Sequence, residues 1–259
     1  MNEFELQKLQ EAAAVGNASS ISDLIDYYLA NNELNKAQIE AERLKYISSS
    51  LAYKKLANLY LNGVLIDKDN SLTKEYLLKA YELGDLDSGY NLALLLIKEN
   101  KSQEALTYLT NGLNQNHIPS IKLLAQLYLK GEVLNKDLHI TLSLLKKVLE
   151  LGDDSVISIL GVVSYQLEEY EEAVKYFNIG VNHRNLDAIY HLGLCYAKGL
   201  GVKQDFNQAR FYYEMGANLN DPNCLYNLSL YYRNGIAVTQ NTDLADTLLN
   251  QAKEQGFKK

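Results

Sequence analysis

Tryptophan is absent from this 259-residue chain, and proline, cysteine and methionine occur only twice each. Each scarcity excludes something. Two prolines leave long helices uninterrupted, because a proline inside a helix removes a hydrogen bond and clashes with the preceding turn. Two thiols, Cys195 and Cys224, cannot staple a chain of this length, and no CxxC or other metal-binding spacing occurs. Both read as buried small hydrophobes. No run approaches the ~18 consecutive apolar residues of a membrane-spanning helix, so no membrane partner is expected. The opening MNEFELQKLQEAAAVGN is acidic and amphipathic, where a secretory signal would be basic and then apolar. Basic charge is also short: 25 Lys and Arg stand against 32 Asp and Glu, a net −7. A nucleic-acid binder needs a basic face to neutralise phosphates, so none is expected as a partner. These absences point to a soluble chain in a reducing, cytoplasmic setting.

What is present is Leu, Ala and Tyr in a repeating order. A Leu-small pair recurs at Leu56-Ala57, Leu92-Ala93, Leu124-Ala125, Leu160-Gly161, Leu192-Gly193 and Leu228-Ser229, at spacings of 36, 32, 36, 32 and 36 residues. Periods of this size are the signature of stacked helical repeats. A further step of 32 back from Leu56 reaches Leu24, with Tyr28 four residues on; Tyr60, Tyr128, Tyr196 and Tyr232 keep that offset. The four-residue difference lies in the turn inside each copy. Long copies carry NGVLIDKD (62–69), KGEVLNKD (130–137), KGLGVKQD (198–205) and NGIAVTQN (234–241), each with a glycine where a positive φ closes a helix end. An apolar residue then tucks under the pair: Leu65, Val133, Val202, and Ala237 or Val238. Short copies turn through KENKSQEA (98–105) and QLEEYEEA (166–173) without glycine.

The expected fold is all-α: one domain over 1–259, a right-handed α/α superhelix of about seven helix-turn-helix repeats alternating 32 and 36 residues. The repeats fall at about 18–49, 50–85, 86–117, 118–153, 154–185, 186–221 and 222–257. Residues 1–17 hold a lone opening helix, about Phe4 to Val15, resembling a second helix without its first. That makes about fifteen helices and no strand. Ala80, Ala105, Ala173, Ala209 and Ala252 on second helices, with Gly161 and Gly193 on first helices, permit close helix approach. Because no pair buries its apolar face alone, each leans on its neighbours. The 20 tyrosines suit this, with rings packed and hydroxyls reaching polar partners.

The long copies resemble the Sel-one-like repeat (SLR), the extended relative of the tetratricopeptide repeat (TPR). In 188–217, Ala188, Leu192-Gly193, Tyr196, Gly199, Gly201-Val202, Asp205, Ala209, Tyr213 and Gly216-Ala217 follow that pattern in order. Short copies lean toward the ordinary tetratricopeptide pattern, as Leu160-Gly161, Tyr170, Ala173 and Phe177 do in 154–185. The cysteine pairs of secreted members are missing. The resemblance implies a scaffold or adaptor for protein binding, with no catalysis and no cofactor.

The residues themselves offer little chemistry. His117, His139, His183 and His191 form no HExxH and no helical His pair. His191 and Cys195 are four apart on one helix, the one place for a small thiol or metal site; such a site makes an enzyme the first alternative. KGLGVKQD links two helices and matches no phosphate-binding loop. The acidic EEYEE (168–172) opens a helix, where the dipole favours negative charge.

Superhelices of this kind expose a concave wall of first helices. Six residues past each reference Leu lie Ala30, Asn62, Lys98, Lys130, Gln166, Lys198 and Asn234; two before it lie Lys54, Tyr90, Lys122, Ser158, Tyr190 and Tyr226. The expected partner-binding residues are Lys54, Asn62, Tyr90, Lys98, Lys122, Lys130, Tyr190, Lys198, Tyr226 and Asn234, offering ring area and polar contacts to a protein or peptide. The expected function is therefore a non-enzymatic interaction module, chaperone-like, regulatory or of the immunity type. A helical-repeat RNA reader is the second alternative, opposed by the alternating period and the net charge. Self-association as a homodimer through the terminal copies, at Phe4 and Phe257, is a further expectation.

Overall fold

The computed structural model describes residues 2–63 and 67–258. Among these are fifteen α-helices, one 3₁₀ turn and no strand. The expected apolar tuck of Leu65 lies outside the described residues. After the opening helix α1 (Glu3–Ala14), helices come in pairs. First helices are α2 (Ala18–Ala30), α4 (Ser50–Asn62), α6 (Leu86–Lys98), α8 (Ile118–Lys130), α10 (Ile157–Gln166), α12 (Leu186–Lys198) and α14 (Pro222–Asn234). Second helices are α3 (Leu34–Leu44), α5 (Asn70–Glu82), α7 (Ser102–Asn114), α9 (Leu138–Glu150), α11 (Tyr170–Asn182), α13 (Phe206–Asn218) and α15 (Thr242–Glu254). Helix α10 is entered through the 3₁₀ turn Asp154–Val156. The chain divides into two compact units, 1–123 and 124–259.

The two turn lengths share one closure. In long copies the cap residue N–H returns to the tyrosine carbonyl: Asp69 to Tyr60 (3.2 Å), Asp137 to Tyr128 (3.0 Å), Asp205 to Tyr196 (2.9 Å) and Asn241 to Tyr232 (2.9 Å). In short copies the same carbonyl position accepts from Glu33 (to Tyr28, 2.8 Å), Lys101 (to Leu96, 2.8 Å) and Glu169 (to Ser164, 2.9 Å). The alternation of 32 and 36 is thus four residues inserted inside one conserved backbone bond. The inserted loop decides how the next helix starts. After it, Asp69, Asp137, Asp205 and Asn241 cap their helices with side-chain oxygens; after the short turn, α3, α7 and α11 begin with no side-chain cap. The short turns manage without glycine because Asn32, Asn100 and Glu168 themselves take a positive φ.

Successive helices pack on one another from α1 to α7 in unit 1 and from α9 to α15 in unit 2. Unit 1 centres on Ile21, Leu24, Ile25, Ala41, Leu44 and Leu56. In unit 2, Phe177, Ala188, Leu192 and Cys195 join α11 to α12, and Tyr213, Cys224 and Leu228 join α13 to α14. Full burial of each large side chain supplies about 1.5–3 kcal/mol. Ala80, Ala105, Ala173, Ala209 and Ala252 are all buried, as close helix crossing requires. Val202 is half-buried against the Ala173–Phe177 cluster.

Candidate functional site

Besides outward side chains of the second helices such as Ile39 and Phe211, packing leaves one stripe of the first helices partly open. In unit 1 it carries exposed Asn58 and Asn62 on α4 and exposed Asp87, Leu94 and Lys98 on α6, with Asn91 and Lys55, the latter's side chain only 14% exposed, half-buried along it. In unit 2 it carries exposed Ile159 and Gln166 on α10, Asp187 and Lys198 on α12, and Asn223 and Asn234 on α14, with Val162, His191, Leu194, Asn227 and Leu230 half-buried between them. These positions are one helical turn apart and share a face.

The two expected columns separate. The later one is exposed throughout: Ala30, Asn62 and Lys98 in unit 1, and Lys130, Gln166, Lys198 and Asn234 in unit 2. The earlier one, Lys54, Tyr90, Lys122, Ser158, Tyr190 and Tyr226, is half-buried in the seams between copies. Lys54 reaches Asp87 (2.7 Å) and Asp85 (3.4 Å) of the next copy. Tyr90 lies edge-on to His117 at 6.4 Å, and Tyr190 edge-on to His191 at 5.1 Å. Tyr226 stacks on Phe257 at 4.2 Å, so Phe257 seals the last copy, whereas Phe4 is 66% exposed beneath the Lys8 ammonium. Positions one before and two after the reference Leu complete the stripe, exposed at Asn58, Leu94 and Ile159 and half-buried elsewhere on α4, α6, α10, α12 and α14; sequence reasoning passed over them, although their regular recurrence marks them.

Charge around the unit 1 stripe is mostly compensated. Lys55 pairs with Asp26 of the preceding first helix at 2.5 Å, and Lys74 with Glu99 at 2.8 Å. Asp87 joins Lys54 to His117 Nε2 (3.0 Å), and His117 Nδ1 meets Ser120 Oγ at 2.8 Å. Hydrogen bonds from Lys54 first, then His117, hold the Asp87 carboxyl below its usual value. The order carboxylate, imidazole, hydroxyl is that of a hydrolytic triad. Here Ser120 is 1% exposed and wedged against Gly112, where a Cβ would collide with it. A nucleophile needs an approachable oxygen, so this chain of bonds ties α6 to α8 and carries no reaction.

His191 and Cys195 do not form a reactive pair. His191 Nδ1–H donates to the Asp187 carbonyl (2.8 Å), and its ring stacks on Phe177 at 5.2 Å. Cys195 is fully buried, and burial pushes its thiol up to about 11, which withholds the thiolate that metal binding and nucleophilic attack require. No cluster of three or more His, Cys, Asp or Glu positioned for a metal ion occurs among the described residues. Nor is any described helix long and apolar enough to cross a membrane.

Stacked helix pairs with an open first-helix stripe define an α/α repeat scaffold. The Sel1 repeat model matches residues 50–85, 119–153, 186–221 and 222–257, and the chain belongs to that family. Among solved structures, a protective antigen of uropathogenic Escherichia coli with an SLR fold superposes with a TM-score of 0.70 at 23% identity, over 96% of this chain and 58% of that one. A Sel1 repeat protein from Oxalobacter formigenes gives 0.62 at 21% identity, over 92% and 99% of the two chains. The C-terminal part of a TPR repeat-containing protein from Cytophaga hutchinsonii gives 0.61 at 15% identity, over 91% and 95%. At such identities these likenesses establish the fold, an α/α solenoid. A rat protein, DAP3-binding cell death enhancer 1, is 31% identical over 80 residues, which span 30% of this chain and only 16% of that protein.

Proposed function

We propose that the chain is a non-enzymatic, cytoplasmic bacterial adaptor that engages a protein or peptide partner on the exposed stripe of its first helices. Repeats of this family are typically protein-interaction modules. The observation that carries the reading is the recurrence of the stripe. On helix after helix, the seams and the faces toward second helices are filled, while one face keeps amides, aliphatic side chains and Lys98, Lys130 and Lys198, none with an ion-pair partner among the described residues, exposed or half-exposed. Such a mixture supplies apolar area together with groups that bond a peptide backbone or a carboxylate.

Photo-crosslinking in the native host tests this. A benzophenone amino acid is placed at Asn62, Lys98, Lys198 or Asn234 on the stripe, and at Ile39 or Phe211, which are exposed on second helices at 61% and 51%. Partner adducts are expected from the stripe positions, and weaker ones when Lys98, Lys130 and Lys198 are all reversed to Glu. Adducts from Ile39 and Phe211 alone would move the docking surface to the other side of the repeats.

A further inference from the structure

Unit 1 contains a cavity of about 270 Å³ that opens on the stripe between α4 and α6. Leu77 of α5, itself 2% exposed, lines it together with Leu61 of α4 and Leu95 of α6; Leu94, 39% exposed, stands with them. Thr73 also lines it, but its hydroxyl is committed to the Asp69 carbonyl at 2.7 Å. The polar capacity left is that of Asn58, Asn91 and Lys98.

The cavity accompanies a difference between copies. Leu77 sits 20 residues after Ala57, as Tyr213 sits 20 after Gly193. In unit 2 the Tyr213 ring fills the place against Gly193, whose Cβ would lie 2.6 Å from it. In unit 1 an aliphatic side chain stands where the ring would be, and space remains. At about 270 Å³ the space falls below the ~300–1,000 Å³ of small-molecule sites, so it suits one apolar side chain.

Charge states what should accompany that side chain. Lys54, Lys55, Lys74 and Lys79 each have a carboxylate partner. Lys98, exposed beside the cavity, has no ion-pair partner among the described residues, and the amides of Asn58 and Asn91 make no hydrogen bond there. We propose that this cavity anchors a leucine-sized side chain of a partner segment whose neighbouring residue is acidic, with the carboxylate on Lys98 and the segment's backbone on Asn58 and Asn91. The proposal deepens the docking reading above and rests on it.

Methyl NMR on the full chain tests it with three probes: N-acetyl-Glu-Leu-Glu-amide, N-acetyl-Lys-Leu-Lys-amide and N-acetyl-Glu-Ser-Glu-amide. The first is expected to shift the methyls of Leu61, Leu77, Leu94 and Leu95 saturably, with a dissociation constant on the order of millimolar for so short a probe. The other two should bind at least about fivefold more weakly, and Lys98→Glu should reverse the order of the two leucine probes. The double variant Ala57→Gly with Leu77→Tyr, which copies the unit 2 pairing, should abolish the shifts; Leu94→Trp serves if that core exchange fails to fold. Equal binding of the acidic and basic probes, or no shift at those methyls at about 10 mM, overturns the proposal. Crosslinks from the stripe that persist in that case leave the docking reading standing, whereas their absence removes both.

Discussion

Gly193 of α12 faces the ring of Tyr213 of α13 so closely that a Cβ there would lie 2.6, 2.9 and 3.2 Å from three ring atoms. The ring is 1% exposed and has nowhere to move. Gly161 stands in the same relation to Phe177, again at 2.6 Å, one copy earlier. The small residue of the Leu-small pair is therefore half of a matched pair, and its partner lies 16 residues on in the short copy and 20 in the long one.

Gly193→Ala should destabilise the protein by about 1–2 kcal/mol, because overpacking at the ring outweighs the gain in helix propensity. Gly161→Ala should behave alike. Thermal unfolding measures both, and an unchanged or raised Tm for either would show that the rings yield.

Gly201 departs from ordinary turn geometry for two reasons at once. Its φ is +67°, and a Cβ would overlap the Tyr170 carbonyl and lie 2.7 Å from the Glu171 nitrogen. Backbone yields less than a side chain, so Gly201→Ala should cost about 2–4 kcal/mol. Gly16, at φ +84° with nothing within 4 Å, should cost only about 1 kcal/mol on the same change. Denaturant midpoints compare the two; equal losses would mean that contact with Tyr170 contributes nothing.

Asp87→Asn should cost about 0.5–1 kcal/mol near neutral pH, a small value because the carboxylate is 54% exposed and screened. The sign of its pH dependence follows from the direction of the shift. The folded carboxyl titrates below its ordinary 3.8, so its contribution is complete above that value and lost as pH falls through the folded value. The advantage of the parent over Asp87→Asn should vanish in that acid window and hold steady above it. Urea titrations across pH measure the difference, and a gap that widens on acidification would refute the assignment.

Both cysteines should be silent in the native state. Cys195 and Cys224 are fully buried; burial raises the first thiol to about 11 and the second further still, the nearby Asp221 charge adding to it. A chromogenic disulfide reagent at pH 8 should find no reactive thiol until denaturant is added, then two equivalents. Rapid reaction of the folded protein would return Cys195 to consideration as a chemical group.

The architecture was legible because helix periodicity and turn chemistry are local. The Leu-small register, the cap residues Asp69, Asp137, Asp205 and Asn241, and the glycines ending α4, α12 and α14 can all be read within a few positions of themselves. What stayed hidden depends on neighbours 30 or more residues away. Lys54 reads as a free ammonium until Asp87 is placed beside it. Tyr226 reads as an open ring until Phe257 covers it. The positive φ of Arg184 and Ala237 has no signal in side chains that ordinarily avoid that region. The unit 1 cavity was within reach, because aligning Leu77 with Tyr213 exposes the size difference, but only once Gly193 and Ala57 are known to be their partners.

The wiring between helices bears on how such a chain comes into being. Within each unit most helices touch chiefly their immediate predecessor and successor, and most are started by a residue just ahead of them. Low contact order of this kind favours rapid folding and lets N-terminal segments settle before later ones exist. Nascent chains halted after α3, after α5 and so on should therefore gain protease resistance in increments, one per added pair.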